Sequence, residues 1–186
     1  RVNAKNNFNT GFLLQRTAFN LQEEVFFSTE NSLRKTTDYD GNGMLYEVFA
    51  EWKHKFTDHL VLNSGIHGML YGLNSTGSVE PRIGLSWQLP YDQSIGFGYG
   101  LQSQINPISV YFRQTKMNDG SFELLNKELP FAKAHHFVIS YDKQLSEFMR
   151  LKVETYYQHI YQAGVDGNSL NSFSMLNQGA NFGFIT

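Results

Sequence analysis

Between Val79 and Gln104 the chain holds a two-residue alternation through two successive strands and the turn between them. Val79, Pro81, Ile83, Leu85, Trp87 and Leu89 share one parity; Glu80, Arg82, Gly84, Ser86 and Gln88 share the other. After Pro90-Tyr91-Asp92-Gln93 the contrast resumes, with Ile95, Phe97, Tyr99 and Leu101 against Gly96, Gly98, Gly100, Gln102 and Gln104. A period of two sends successive side chains to opposite faces of a sheet. Each run is roughly 11 residues, about twice the common soluble strand, and a tilted strand needs about 9–11 to cross a bilayer. One face is apolar. The other mixes small residues with the opposite charges of Glu80 and Arg82, which suits a wet lumen better than a packed core. A helix is excluded: at 100° per residue the polar set would scatter, and each of the three glycines would cost about 1 kcal/mol against Ala. The pattern predicts an all-β fold, an antiparallel transmembrane β-barrel segment.

Composition narrows the alternatives. No run of apolar residues is long enough for a transmembrane helix, but a barrel escapes that test because only alternate residues meet lipid. Sixteen phenylalanines and ten tyrosines match the aromatic girdles that barrels carry at both interfaces. With 17% charged residues and a net charge of −2, the chain is neither disordered nor a nucleic-acid binder. Absence of cysteine removes disulfides and thiolate metal sites. The chain opens at Arg1 rather than Met, and Asn181 to Thr186 still alternate at the end. These features predict a piece of a longer protein, with residues 1–186 in one barrel domain.

In chain order, a first strand is expected around Phe8 to Leu14. Residues 18 to 43 lose the period and read as a long polar loop ending in Asp38-Tyr39-Asp40-Gly41-Asn42-Gly43. In a second strand Tyr46, Val48, Ala50, Trp52 and Phe56 would face lipid, and Glu47, Glu51, Lys53 and Lys55 the lumen; Phe49 and His54 break this order. The third, 60 to 70, sends Leu60, Leu62, Ile66 and Leu70 outward and Asn63 and His67 inward. Loop 72 to 77 leads into the paired run described first. A second irregular stretch, 105 to 131, holds Pro107, Asn118-Asp119-Gly120 and Pro130. Strands follow at 135 to 142 and 149 to 158, joined near Ser146-Glu147. Residues 162 to 178 read as a loop, and a last strand starts near Ala180. About seven to eight strands result, with turns of about 2–4 residues at one end and longer loops at the other, the pattern of outer-membrane barrels.

Candidate sites yield little chemistry. Asp38, Asp40, Asn42 and Gly43 copy positions 1, 3, 5 and 6 of a calcium loop, but Phe49 stands where its bidentate Glu belongs. A polar turn is the preferred reading. His135 and His136 are neighbours on a strand, so they point to opposite faces and cannot share an ion. The inward charges, Glu47, Glu51, Lys53, Lys55, Arg150 and Lys152, solvate a lumen. Gly96, Gly98 and Gly100 lack a following helix, which rules out a phosphate loop; they make room in the lumen. Trp52, Trp87, Tyr99, Tyr157 and Tyr161 read as interfacial girdle residues. No catalytic, metal or cofactor-binding residue is assigned and no cofactor is expected. If a ligand binds this segment, loops 18–43 and 105–131 are its expected contacts.

Three blocks resemble TonB-dependent outer-membrane receptors. They are Val79-Glu80-Pro81-Arg82-Ile83-Gly84-Leu85-Ser86-Trp87, similar to that family's "EPR-G" strand, Gly98 to Gln104, and Lys133 to Tyr141. The likeness is closest to the branch with an N-terminal carboxypeptidase-regulatory-like domain. It implies a 22-stranded barrel in the bacterial outer membrane, closed by a plug. Such a receptor takes up a scarce nutrient of the siderophore, cofactor, glycan or peptide class. The partners implied are outer-membrane lipid, the TonB energy-coupling complex, the nutrient itself and, in such systems, a surface lipoprotein; nucleic acid is not among them. The alternative reading is a plugless structural or adhesive barrel that binds a partner through its loops. An enzyme ranks third, because no nucleophile–base set is visible.

Overall fold

A computed structural model describes residues 3–28, 31–117, 119–165, 174 and 176. Seven long strands form one antiparallel sheet: β1 (Asn6–Phe27), β2 (Ser32–Lys55), β3 (Leu60–Tyr71), β4 (Thr76–Leu89), β5 (Gln93–Gln104), β8 (Ala132–Ser146) and β9 (Met149–Tyr161). Between β5 and β8 lie one helical turn, α1 (Ile108–Tyr111), and the two-residue arms β6 (Thr115–Lys116) and β7 (Phe122–Glu123), which pair with each other. The order β1-β2-β3-β4-β5-β8-β9 is an up-and-down meander, and the sheet curls into a half-barrel.

The register keeps the alternation in step across every strand. Phe8, Trp52, Ser64, Ile83, Tyr99, Phe137 and Tyr157 form one cross-strand row on the convex face. One step along, Glu51, Gly65, Arg82, Gly100, His136 and Gln158 form a row on the concave face. A slip of one residue would exchange the faces, so the parity of the sequence excludes it. Phe49, out of pattern on the concave side, pairs with Gly11; its ring lies where a Cβ on Gly11 would fall 2.6 Å from Cε1. The glycine leaves the space that the aromatic ring fills.

Three short connections, 56–59, 90–92 and 147–148, share one end of the sheet. In the second, Tyr91 and Asp92 both take left-handed backbone (φ 63° and 52°), which lets a tight hairpin follow the twist of its strands. The connections 72–75 and 105–131 meet at the opposite end, where the Asn74 amide donates to the carbonyls of Lys127 at 3.0 Å and Leu129 at 3.2 Å.

The expected loop 18–43 is instead strand. β1 and β2 stay paired from Asn6↔His54 to Phe27↔Ser32. β3 covers β2 only as far as Leu45, so the upper arms form a two-stranded ribbon. Asp38, Asp40, Asn42 and Gly43 sit in its regular ladder opposite Gln22, Asn20, Ala18 and Thr17. An extended strand cannot wrap its side chains round one cation as a loop does. Gly43 serves a different purpose: a Cβ there would lie 2.9 Å from the Tyr71 hydroxyl. The polar tract hid the strand because its alternation, Phe19, Leu21, Val25 and Phe27, is interrupted by Glu23. At that point Thr36 bulges out of the ladder and its hydroxyl approaches the Glu23 carboxylate at 3.2 Å. The expected strand near Ala180 lies outside the described residues, as does most of 162–178, where one bridge joins Val165 and Ser174.

Candidate functional site

The fully buried side chains are concentrated at one end of the concave face. Tyr111, Phe112 and Phe131, 0–1% exposed, come from the 105–131 segment and pack on Met69 and Tyr71 of β3, with Phe19, Leu21 and Leu45 around them. The segment thus folds inward across the sheet as a cap. Phe112 stacks on Tyr39 at 4.0 Å between ring centres and meets Phe19 at a tilt at 5.2 Å, and the Gln114 N–H donates to the Thr36 carbonyl at 2.9 Å. A free two-stranded ribbon is marginal in water; here the cap holds it. Inside the cap, Asn106 donates from its main-chain N–H and its amide to the Tyr111 hydroxyl, both at 3.3 Å, and from its amide to the Pro130 carbonyl at 3.0 Å. Burial raises the pKa of the Tyr111 hydroxyl, against the opposing pull of the Asn106 bonds.

Below the cap a charged chain crosses the concave face. Glu80 is 2% exposed. One carboxylate oxygen meets His67 Nδ1 at 3.0 Å and accepts from Arg82 at 3.1 Å; the other accepts from the Ser78 hydroxyl at 3.3 Å and the Ser103 N–H at 2.8 Å. His67 Nε2 lies 3.8 Å from Glu47. The Ser103 contact explains the Glu80-Pro81-Arg82 run. Proline lacks an N–H, and the β4–β5 ladder stops at Arg82↔Gly100. Beyond it, the Glu80 side chain supplies the acceptor for the N–H of β5. Gly65 and Gly100 flank Arg82 in its row and leave its guanidinium room to turn back to Glu80. A groove of about 850 Å³ continues toward the short turns, walled by Asn7, Asn9, Phe49, Glu51, Lys53 and Asn63 among others. Asn9 bonds Glu51 across it at 3.2 Å.

The convex face is the reverse. Phe12, Val48, Ile66, Val79, Ile139 and Val153 stand there 51–82% exposed, a continuous apolar surface of the kind that marks a membrane or partner contact. Trp52 and Trp87 lie near the short turns and Tyr157 and Tyr161 toward the cap end, whereas Tyr99 sits in the middle of β5 rather than at a strand end. His54, the outlier on this face, lies between Trp52, tilted to it at 5.1 Å, and Phe56, edge-on at 4.6 Å, and its Nδ1 meets the Asn6 amide oxygen at 2.7 Å. His135 and His136 take opposite faces: His135 lies among the convex rings and His136 opposite Gly100 on the concave row.

Of the concave charges, Glu47, Glu80 and Arg82 come together with His67 as a hub centred on Glu80; Glu51 instead bonds Asn9, Arg150 pairs with Asp142 and Lys152 with Glu154. Sequence parity placed Glu80, Arg82, His67 and Glu47 on one face; only the register brought them into one chain. Ser103 was missed because its contribution is a main-chain N–H, which no residue type announces. Among the described residues no group of three or more His, Asp or Glu is placed to hold a metal ion. No family model matches the chain, and no curated protein matches it significantly.

Proposed function

We propose that this chain is a wall section of a TonB-dependent receptor in the bacterial outer membrane, part of a 22-stranded barrel that imports a scarce nutrient. The observation that carries the reading is the inversion of the sheet's two faces: apolar and exposed on the convex side, charged and glycine-lined on the concave side. A soluble half-barrel would bury its apolar face inward. The inward-folded cap adds support, since a loop anchored by Tyr111, Phe112 and Phe131 narrows the lumen at one mouth and leaves the charged groove beneath it. Lipid covers the convex face, a plug occupies the groove, and the cap end faces the cell exterior, where ligand enters. The siderophore, cofactor, glycan and peptide classes all remain compatible with this lumen.

One observation favours the second reading, a plugless adhesive or structural barrel. The ribbon ends in Phe26 and Leu33, paired with each other and 56% and 65% exposed, an apolar tip suited to a surface partner. Two measurements on the intact protein separate the readings. Cysteine at Asn31 should react with an impermeant maleimide on whole cells, and cysteine at Asp58 only after permeabilisation. The purified C-terminal domain of TonB should bind the intact protein. Surface labelling without TonB binding favours the adhesive barrel; the reverse labelling pattern inverts the topology and removes both readings.

A further inference from the structure

On β4, β5, β8 and β9 the convex positions hold no carboxylate: Glu80, Asp142 and Glu154 all take concave positions. The convex charges on these strands are Lys133 toward the cap end and Lys143 toward the short turns. Lys133 pairs with Tyr161 at the edge of a stack of rings. His135 lies 5.3 Å from Tyr161, 6.4 Å from His159 and 6.0 Å from Tyr99, all within 21° of parallel. The Tyr99 hydroxyl meets His135 Nδ1 at 3.1 Å. With that nitrogen accepting the hydroxyl proton, the neutral ring carries its own proton on Nε2, a donor for an anionic oxygen. The His159 ring makes no hydrogen bond to another described residue, although its main chain lies in the β8–β9 ladder. At the other end of the face the matching groups are satisfied internally, since His54 and the Trp52 N–H both meet the Asn6 amide oxygen, at 2.7 and 3.0 Å.

Beside these rings opens a shallow convex groove of about 660 Å³, walled by Ile83, Phe97, Phe137 and Tyr157. Both imidazoles line this groove, and Lys133 follows at the next position on the same face beyond His135, an arrangement with the charge and polarity profile of a phosphate-bearing lipid. We infer that this groove is a docking site for one anionic, phosphate-bearing lipid of the outer leaflet, its acyl chain along Phe97 and Phe137 and its phosphate among Lys133, His135 and His159. The inference rests on the reading of the convex face as lipid-facing.

The test uses the intact protein in detergent, titrated by native mass spectrometry with phosphatidylglycerol and with phosphatidylcholine of the same acyl chains. Phosphatidylglycerol should bind about fivefold more tightly, the preference one lysine gives for an anionic lipid. Lys133→Ala combined with His159→Ala should abolish the preference, Lys133→Glu should reverse it, and Lys143→Ala should leave it intact. Glycerol phosphate should not displace the lipid. Equal binding of the two lipids, an unchanged preference in the Lys133 variants, or displacement by glycerol phosphate overturns the inference. The wild type is also inserted into vesicles: insertion without a lipid preference overturns this inference alone, whereas failure to insert overturns the membrane reading as well.

Discussion

The β4–β5 hairpin and the upper arms of β1–β2 are both antiparallel pairs, yet different surroundings hold them. β4 and β5 are flanked by β3 and β8 along their shared length, so their main chain is paired on both sides and their apolar residues point away from the protein. The ribbon has only its own two strands above Leu45. Its stability comes from Phe19 and Tyr39 pressed against Phe112, and from one bond between Gln114 and Thr36. A strand can therefore be specified by its parity or by an aromatic clamp arriving from a distant segment of the chain, as Phe112 does for Phe19 and Tyr39. The first is local and robust; the second depends on a single loop.

Breaking the clamp has the largest expected effect. Phe112→Ala removes a fully buried ring and should cost roughly 3–5 kcal/mol. Hydrogen exchange should show residues 19–27 and 32–43 losing protection together with the cap, while 93–104 keep theirs. A ribbon that stays protected would mean it stands without the cap.

The wall responds to facing instead. Leu85 and Ser86 are neighbours in β4, with Leu85 paired to Leu62 and Phe97 on the convex side and Ser86 to Val61 and Gly96 on the concave side. Arg on a lipid-facing position costs about 2–4 kcal/mol near the midplane. Leu85→Arg should therefore destabilise the intact barrel, freed of any plug, far more than Ser86→Arg in a reversible bilayer-folding assay. A costlier Ser86→Arg would place the two faces the wrong way round, and two mild results would take the strand out of the membrane.

Where wall meets rim, Glu80 holds the end of β5. Glu80→Gln keeps an oxygen for the Ser103 N–H but gives up the charge that His67 and Arg82 face, a loss of about 1.5–3 kcal/mol for a charged hydrogen-bonded group. Glu80→Ala also orphans the Ser103 N–H and should cost more in denaturant titrations. Equal costs for the two variants would show that the main-chain bond contributes nothing beyond the charges.

The smallest effect belongs to the ribbon's exposed ion pair, Lys35 to Asp38 at 2.9 Å. Hydrogen bonding to Asp38 raises the Lys35 pKa above 10.5. A raised lysine pKa contributes stability below the ordinary value and loses it as pH rises through the higher one. Both side chains are about half exposed, and solvent screens such pairs. Lys35→Ala should leave ribbon exchange unchanged at pH 7, and a clear loss there would mean the clamp is weaker than its ring contacts indicate.

The sequence by itself determined the wall. Alternation from Leu60 to Leu70, through Val79 to Gln104 and on through 135 to 158, settled which of these strands form, which faces they present and where the short turns between them fall. A two-residue period leaves a strand no other way to separate its polar and apolar sides. It also placed His135 and His136 on opposite faces. Tertiary structure alone decided the rest. It turned residues 18–43 into strand, because the rings that stabilise the ribbon lie in the 105–131 segment and no local pattern contains them. It turned that segment inward, because Tyr111, Phe112 and Phe131 found Met69 and Tyr71 exposed on the concave face. And it made Glu80 a hub, because Pro81 ends one ladder at the point where cross-strand register brings His67, Arg82 and the Ser103 N–H within reach of a single carboxylate.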